Sequence, residues 1–259
     1  MRNEDEGMIM VPTLGTLSTS FKTIYRNMLR QKLEPEVSIL PKLIEPHHIC
    51  FDIGAAYGRY TLSLARLAFQ GRVYSFEPGS FSWEVLTTCI RFHRLKNVVK
   101  IKTALGNKKG RVWLSVPVKK NNRLGYSLAH VVSRGYEDSA DKRLEEVECT
   151  TLDDFCTKEQ IPRVDFIKCD VEGTEYFVFE GGQFTLRHHR PTVLCEVDGN
   201  LMRRFQCEPG QVENFFRKRN YQMFVFRENL QPVNTVQEQG NYFFIPQERT
   251  QSLRSPHAT

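Results

Sequence analysis

The stretch "CFDIGAAYGRY", residues 50–60, runs from a short apolar segment through Asp52 into two glycines, Gly54 and Gly58, four residues apart. An apolar run that ends in a glycine turn and then takes up helical spacing is how a parallel strand hands over to a helix. In an open sheet of that kind the ligand sits beyond the carboxyl ends of the strands, where the strand order reverses. The acid narrows the choice of ligand. A dinucleotide site needs three glycines, G-x-G-x-x-G, so that backbone N–H groups and a helix N-terminus can cradle a pyrophosphate. Here Ala55 and Ala56 stand where the middle glycine would be, and Asp52 sets a negative charge beside those phosphates. A cofactor without phosphates but with an ammonium and a sulfonium, S-adenosylmethionine, fits instead.

Working outward, "YSFEP" (74–78) places Glu77 at the end of the next apolar run, 25 residues after Asp52. A carboxylate there can accept hydrogen bonds from both hydroxyls of an adenosine ribose. NAD enzymes share that acid, so it is the combination with D-x-G-x-x-x-G that favours the methyl donor. The plainer readings are that Asp52 caps the following turn and that the glycines serve tight turning and close packing.

The same texture repeats along the chain. The runs "HICFDIG", "RVYSFEP", "VVKIKTALG", "VDFIKCDVEG" and "PTVLCEVD" alternate with helical stretches at 58–69, 80–94 and 174–187. Near-continuous apolar strands separated by helices specify a parallel sheet covered on both faces, an α/β, doubly wound architecture. Residues 106–163 interrupt the alternation with a hairpin strand "RVWLSVPV" after the turn "GNKKG", a basic and polar stretch at 119–143, and "EEVECTTLDDF". That polar stretch is expected to be a lid over the substrate. The tail, "FFRKRNYQMFVF" then "NYFFIP", reads as a helix and two strands with a polar connection. Residues 1–45 read as an N-terminal helical extension, with Leu17, Phe21, Ile24, Tyr25, Met28 and Leu29 at helical spacing. Residues 46–250 form the main domain and 251–259 a disordered tail.

Composition excludes several classes. At 259 residues, 40% apolar and 25% charged, the chain matches ordinary globular usage. No window reaches the length of a membrane span, and the acidic start "MRNEDEGMIM" is unlike a secretory signal, so a cytoplasmic protein is expected. The seven cysteines form no CxxC pair and fall mostly in apolar runs, the pattern of buried thiols. The His-His pairs 47–48 and 188–189 have no third ligand at useful spacing, so no metal is assigned to them. Net charge is +6 and uneven: residues 91–123 hold eleven Lys or Arg and no acid. Those bases alternate with apolar residues as on solvated faces, so a nucleic-acid partner is not expected. The oligomeric state is left open.

"VDFIKCDVEG" puts Lys168 and Asp170 on one face of a strand, with Glu172 just beyond, and "VLCEVD" puts Glu196 at the end of the following run. Polar residues inside apolar strands are costly unless paired or used. Asp170 is the first candidate for the base that draws a proton from an acceptor hydroxyl, Glu196 the second, and Lys168 the ion-pair partner that orients Asp170. Two close carboxylates could also hold a divalent cation. Glu172 could serve the site or cap the helix that follows.

With these motifs in order, "FDIGAAYGRYTLSLARL", "RVYSFEP", "TALGNKKGRV", "TTLDDF", "VDFIKCDVEGTEYFVFEGG" and "RPTVLCEVD", the chain resembles the FkbM-type methyltransferases over about residues 50–198. The resemblance implies a class I methyltransferase, Rossmann-like fold: a doubly wound sheet, mostly parallel with an antiparallel C-terminal strand. It implies an S-adenosylmethionine-dependent O-methyltransferase acting on a hydroxyl of a sugar, glycolipid or other natural product, hence a small-molecule or glycan acceptor. It carries over Asp52, Gly54 and Gly58 as the cofactor loop, Glu77 and Pro78 as the ribose motif, and Asp170, Glu172 and Gly173 as the D-V-E-G motif; the expected cofactor set is Asp52, Gly54, Ala55, Tyr57, Gly58, Glu77, Pro78, Ala104 and Asp170. Ala56 departs from the family's commoner amide. Two alternatives are a nucleic-acid methyltransferase, disfavoured because the strand end reads D-V-E-G, and a non-catalytic protein that binds the methyl donor.

Overall fold

The computed structural model describes residues 34–117, 130–132 and 142–250. In chain order its first elements are β1 (Ile49–Ile53), α1 (Arg59–Leu67), β2 (Arg72–Phe76), α2 (Ser80–Phe92), β3 (Val98–Ile101), β4 (Ala104–Gly106), β5 (Gly110–Pro117), β6 (His130–Val132) and β7 (Lys142–Thr151). There follow α3 (Leu152–Lys158), β8 (Phe166–Cys169), α4 (Glu175–Glu180), α5 (Gln183–His188), β9 (Thr192–Asp198), α6 (Gly199–Met202), α7 (Pro209–Arg217), β10 (Tyr221–Phe226), β11 (Leu230–Val233) and β12 (Gln239–Pro246).

The main sheet has the order β11-β10-β12-β9-β8-β1-β2-β3. Strands β3, β2, β1, β8 and β9 are mutually parallel, whereas β12 runs antiparallel between β9 and β10. The order therefore reverses between β1 and β8, and a crevice opens beyond the carboxyl ends of those two strands. Alternate residues of a strand face opposite sides. Phe51, Ile53, Ile167, Cys169, Val193 and Cys195 accordingly pack into one core with α3, α4, α5 and α7. Cys50, Phe166 and Leu194 face the other way, onto Tyr60 and Leu64 of α1 and Leu40 of the 3₁₀ turn Pro35–Lys42. Both faces are covered, which is why β1, β2, β8 and β9 are apolar nearly throughout, the interior exceptions being Asp52, Ser75, Lys168 and Glu196.

Four local expectations changed on folding. "VVKIKTALG" breaks at Lys102 and Thr103, because β3 ends the main sheet while β4 joins a second sheet of order β4-β7-β5-β6. The insertion builds most of that sheet, with β5 and β7 paired from Gly110↔Cys149 to Pro117↔Lys142. The helix expected over 174–187 divides at Gly181 and Gly182, where a Cβ would stand 2.0 Å from the Gly106 carbonyl oxygen and 2.5 Å from Leu152 respectively. In the tail the polar connection contains a third strand, β11, whose Pro232 is tolerated because it lies on the sheet's edge.

Of the leading extension, residues 1–33 lie outside the described residues. Its described part is the 3₁₀ turn, tightened by Pro41, which has no N–H to donate. Most of the proposed lid at 119–143 and the tail at 251–259 also lie outside. All seven cysteines are free. No helix among the described residues is long and apolar enough to cross a membrane.

Candidate active site

A cleft of about 450 Å³ occupies the crevice and is lined from both sides of the switch point. On the β1–β2 side, the turn after β1 is built by left-handed backbone at Gly54 (φ 79°), Ala56 (φ 45°) and Gly58 (φ 83°). Gly54 admits no side chain, since a Cβ would stand 1.7 Å from the Asp170 carbonyl oxygen. That close approach locks the β1 turn to the loop after β8. Gly58 begins α1 and packs against Leu86 of α2, behind the cleft wall.

The carboxylates on this side are held by neutral donors. Glu77 accepts the Ala56 N–H through Oε2 at 2.9 Å and the Gly79 N–H through Oε1 at 2.8 Å. Asp52 accepts from the Thr61 hydroxyl at 2.5 Å, and Thr61 in turn meets Ser75 at 3.0 Å. Both acids are buried, and desolvation pushes Asp52 up to about 6 and Glu77 up to about 7. Each carboxylate oxygen has a second lone pair, so these bonds leave Glu77 able to accept from a ligand.

On the β8–β9 side the acids are held by charge and by each other. Register aligns Asp52 with Lys168 and Lys168 with Leu194, so Asp52, Lys168, Asp170 and Glu196 share one face of the sheet. Lys168 is buried, with its Nζ 3.4 Å from Asp170 Oδ2 and 5.1 Å from the centre of the Tyr60 ring. Burial works against its ammonium, but the charges of Asp170, Glu196 and Glu34 hold its pKa above the ordinary value. The Asp170 carboxyl is opposed by burial yet held below the usual range by Lys168 and by a hydrogen bond from Glu196. Glu196 is pushed up to about 8, first by burial and then by the Asp170 charge it faces. At neutral pH the pair thus holds one proton, on Glu196, with Asp170 ionised.

Placed against the residues expected from sequence, Asp52, Gly54, Ala55, Tyr57, Glu77, Pro78, Ala104, Lys168 and Asp170 all line the cleft, whereas Gly58 and the half-buried Glu196 do not. Glu172 lines it too, held at φ 57° and pushed up to about 7 by burial and by Asp170. It does not cap α4. No side chain caps α4; its first residue, Glu175, instead reaches back, and its buried carboxylate accepts the N–H groups of Val171 (2.9 Å) and Gly173 (3.2 Å) and so fixes the D-V-E-G loop.

Sequence reasoning also missed Glu34, Arg59 and Tyr60, which close the far end of the cleft. Glu34 bonds Arg59 at 2.6 Å and the Tyr60 hydroxyl at 2.7 Å. Tyr60 is buried whereas Arg59 is exposed, and it is Glu34 that brings both to the cleft. Leu114 of β5 lines the cleft as well, so the second sheet supplies part of a wall. Glu145 of β7 fastens that sheet to the β1–β2 side of the cleft by accepting the Ser80 N–H at 2.9 Å.

The His pair at 47–48 does gain a third potential ligand: atoms of Glu45, His47 and His48 lie within 4.8 Å of one another. The expectation of no third ligand there is corrected by the turn before β1, which folds Glu45 back. This cluster lies at the opposite end of the sheet from the cleft.

Residues 52–223 match the model of the methyltransferase FkbM domain. Among solved structures, the fold is similar to a methyltransferase FkbM from Methylobacillus flagellatus KT, at 14% identity and a TM-score of 0.51, over 88% of this chain and 58% of that one. This chain therefore spans less than two thirds of that relative. An O-methyltransferase from Bacillus cereus, solved with S-adenosylhomocysteine, aligns at 14% identity and a TM-score of 0.47, over 91% of this chain and 92% of that one. A search of the curated proteins returns no match.

Proposed function

The chain belongs to the FkbM methyltransferase family, and from that premise we propose that it transfers a methyl group from S-adenosylmethionine to a hydroxyl of a small-molecule or glycan acceptor. The observation that carries this reading is the composition of the cleft: five carboxylates, Glu34, Asp52, Glu77, Asp170 and Glu172, against two cations, Arg59 and Lys168, each of which has an acid beside it, around a turn with no phosphate cradle. That lining repels a pyrophosphate and suits a cofactor with two cationic groups. The volume is within the range of small-molecule sites, about 300–1,000 Å³. Glu77 would accept the ribose hydroxyls, with Gly54, Ala55, Tyr57, Pro78 and Ala104 lining the same pocket and Asp52 facing the cationic end.

When bound, the cofactor supplies a methyl already activated on sulfonium. What remains for the protein is to orient the acceptor and take its proton. Asp170 is the acid of the pair that reaches the cleft, so the acceptor hydroxyl donates to it. Glu196 behind it stores the proton the pair holds at neutral pH. Losing that proton turns the pair into the stronger base, so turnover rises with pH through about 8. Lys168 keeps Asp170 aimed into the cleft. A divalent cation on Asp170 and Glu196 is not part of the proposal, because Lys168 already occupies that charge role.

The test is to incubate purified protein and isotope-labelled S-adenosylmethionine with metabolite extract and search by mass spectrometry for a hydroxylated compound that gains the labelled methyl. Label appearing only in nucleic acid would sink the acceptor class. No transfer to any fraction, with the donor bound, would leave a binding protein.

A further inference from the structure

The end of the sheet opposite the cleft has its own character. Strands β2, β3, β9 and β10 all run in one direction, because β10 and β9 are each antiparallel to β12. The segments that precede them, 66–72, 91–97, 183–190 and 217–220, therefore gather at the sheet's amino end. Together they hold ten Lys or Arg and no Asp or Glu. Arg66, Arg91, Arg94, Lys96, Arg187 and Lys218 are exposed and form no ion pair among the described residues.

The large apolar side chains that stand exposed among the described residues, Phe69 (61%), Phe92 (50%) and Phe184 (59%), lie in these same segments. Phe184 stacks on His188 at 3.9 Å, at the rim of an open hollow of about 730 Å³ that Arg187, Arg190, Lys218 and Arg219 help to line. Of the acids at this end, Glu248 pairs with Arg190 and Asp165 with Arg163, while Glu45 and Glu159 stand exposed.

From this pairing of exposed phenylalanines with unpaired cations we propose that the amino end of the sheet docks on an anionic lipid surface. The six strand spacings from β3 to β10 spread these groups over about 29 Å, and they lie on both sides of the sheet, since α1 and α5 cover opposite faces. A plane meets all of them at once; a nucleic-acid strand needs a continuous groove. The arginines and lysines sit at headgroup level while the phenyl rings enter the acyl boundary. Docked this way, the cleft at the carboxyl end stays turned toward solution.

The test is sedimentation of the full chain with phosphatidylcholine vesicles, with and without phosphatidylserine, at low and high salt. Binding is expected only with phosphatidylserine, and salt should weaken it. Replacing Arg91, Arg94 and Lys96 together by Glu should weaken it by at least about a hundred-fold. Phe92→Ser with Phe184→Ser should weaken it by a smaller factor, and neither set should change affinity for the methyl donor. The proposal is overturned by equal binding to both vesicle types, by no binding at low salt, or by insensitivity to both sets of variants. It is overturned equally if mixed-sequence single-stranded RNA binds and is lost in the variants while vesicles stay free.

Discussion

The two sides of the cleft hold buried acids by different means. On the β1–β2 side, Glu77 and Asp52 are satisfied by backbone N–H groups and a threonine hydroxyl. On the β8–β9 side, Asp170 and Glu196 are satisfied by a shared proton and the Lys168 ammonium. Neutral donors fix a carboxylate in place, and although Asp52 also feels the Lys168 charge it faces in register, neither acid is bonded to a charged partner, which suits recognition. A proton shared beside a cation couples two charges, so a small change in the cleft moves a proton, which suits chemistry. The same residue types thus do different work because their partners differ.

The largest effect that sharpens this contrast is expected from Asp170→Asn. The variant keeps the shape of the site and leaves Glu196 to ionise beside Lys168, so the fold and donor affinity should persist. Methyl transfer should fall by about 10²–10⁴-fold, measured as kcat once an acceptor is known. Wild-type turnover in the variant would break the assignment of proton handling to the β8–β9 side.

Next comes Lys168→Met, which removes the cation and leaves the acid pair buried without it. Losing one partner of a buried pair costs about 3–5 kcal/mol, and Asp170 is partly exposed, so about 3 kcal/mol is expected in denaturant unfolding. An unchanged midpoint would mean that the ammonium is not what holds the pair.

A smaller and opposite kind of response is expected from Glu77. Its folded pKa is raised above the unfolded value, so its contribution to stability is full below about 4.5 and is lost as pH rises through about 7. Glu77→Gln should remove that share of the fall in thermal stability between those values. Donor affinity should show the reverse sign, weakening as pH drops through about 7 in the wild type, because only the carboxylate accepts from both ribose hydroxyls. The variant should lose about tenfold in affinity, in line with a hydrogen bond to a charged group. A variant that binds the donor as tightly as wild type would detach Glu77 from recognition.

Much of this fold was legible because β1, β2, β8 and β9 are covered on both faces and so are largely apolar, a pattern that survives without any partner in view. The break between β3 and β4 was not, since Lys102 and Thr103 suit a continuing strand and only the edge of the main sheet ends it. Strand β11 is polar because it lies at an edge, and polarity hid it. In the site, Asp52, Glu77 and Asp170 announce themselves as acids at the ends of apolar runs. Glu34 does not, because its meaning lies in contacts with residues 25 and 26 positions away. Glu175 gives no signal in the sequence, because its part is to accept two N–H groups of the loop before its own helix, and only the folded loop shows them.

The most direct test of the central claim is isothermal titration of the wild-type chain with S-adenosylmethionine near pH 8, repeated in buffers of different ionisation enthalpy, with NADH as control. A cationic cofactor entering beside the Asp170–Glu196 pair should lower the pair's pKa, so binding should release protons, and Glu196→Gln should bind the cofactor without that release. NADH should give no heat. Tight NADH binding, or no response to S-adenosylmethionine, would contradict the account.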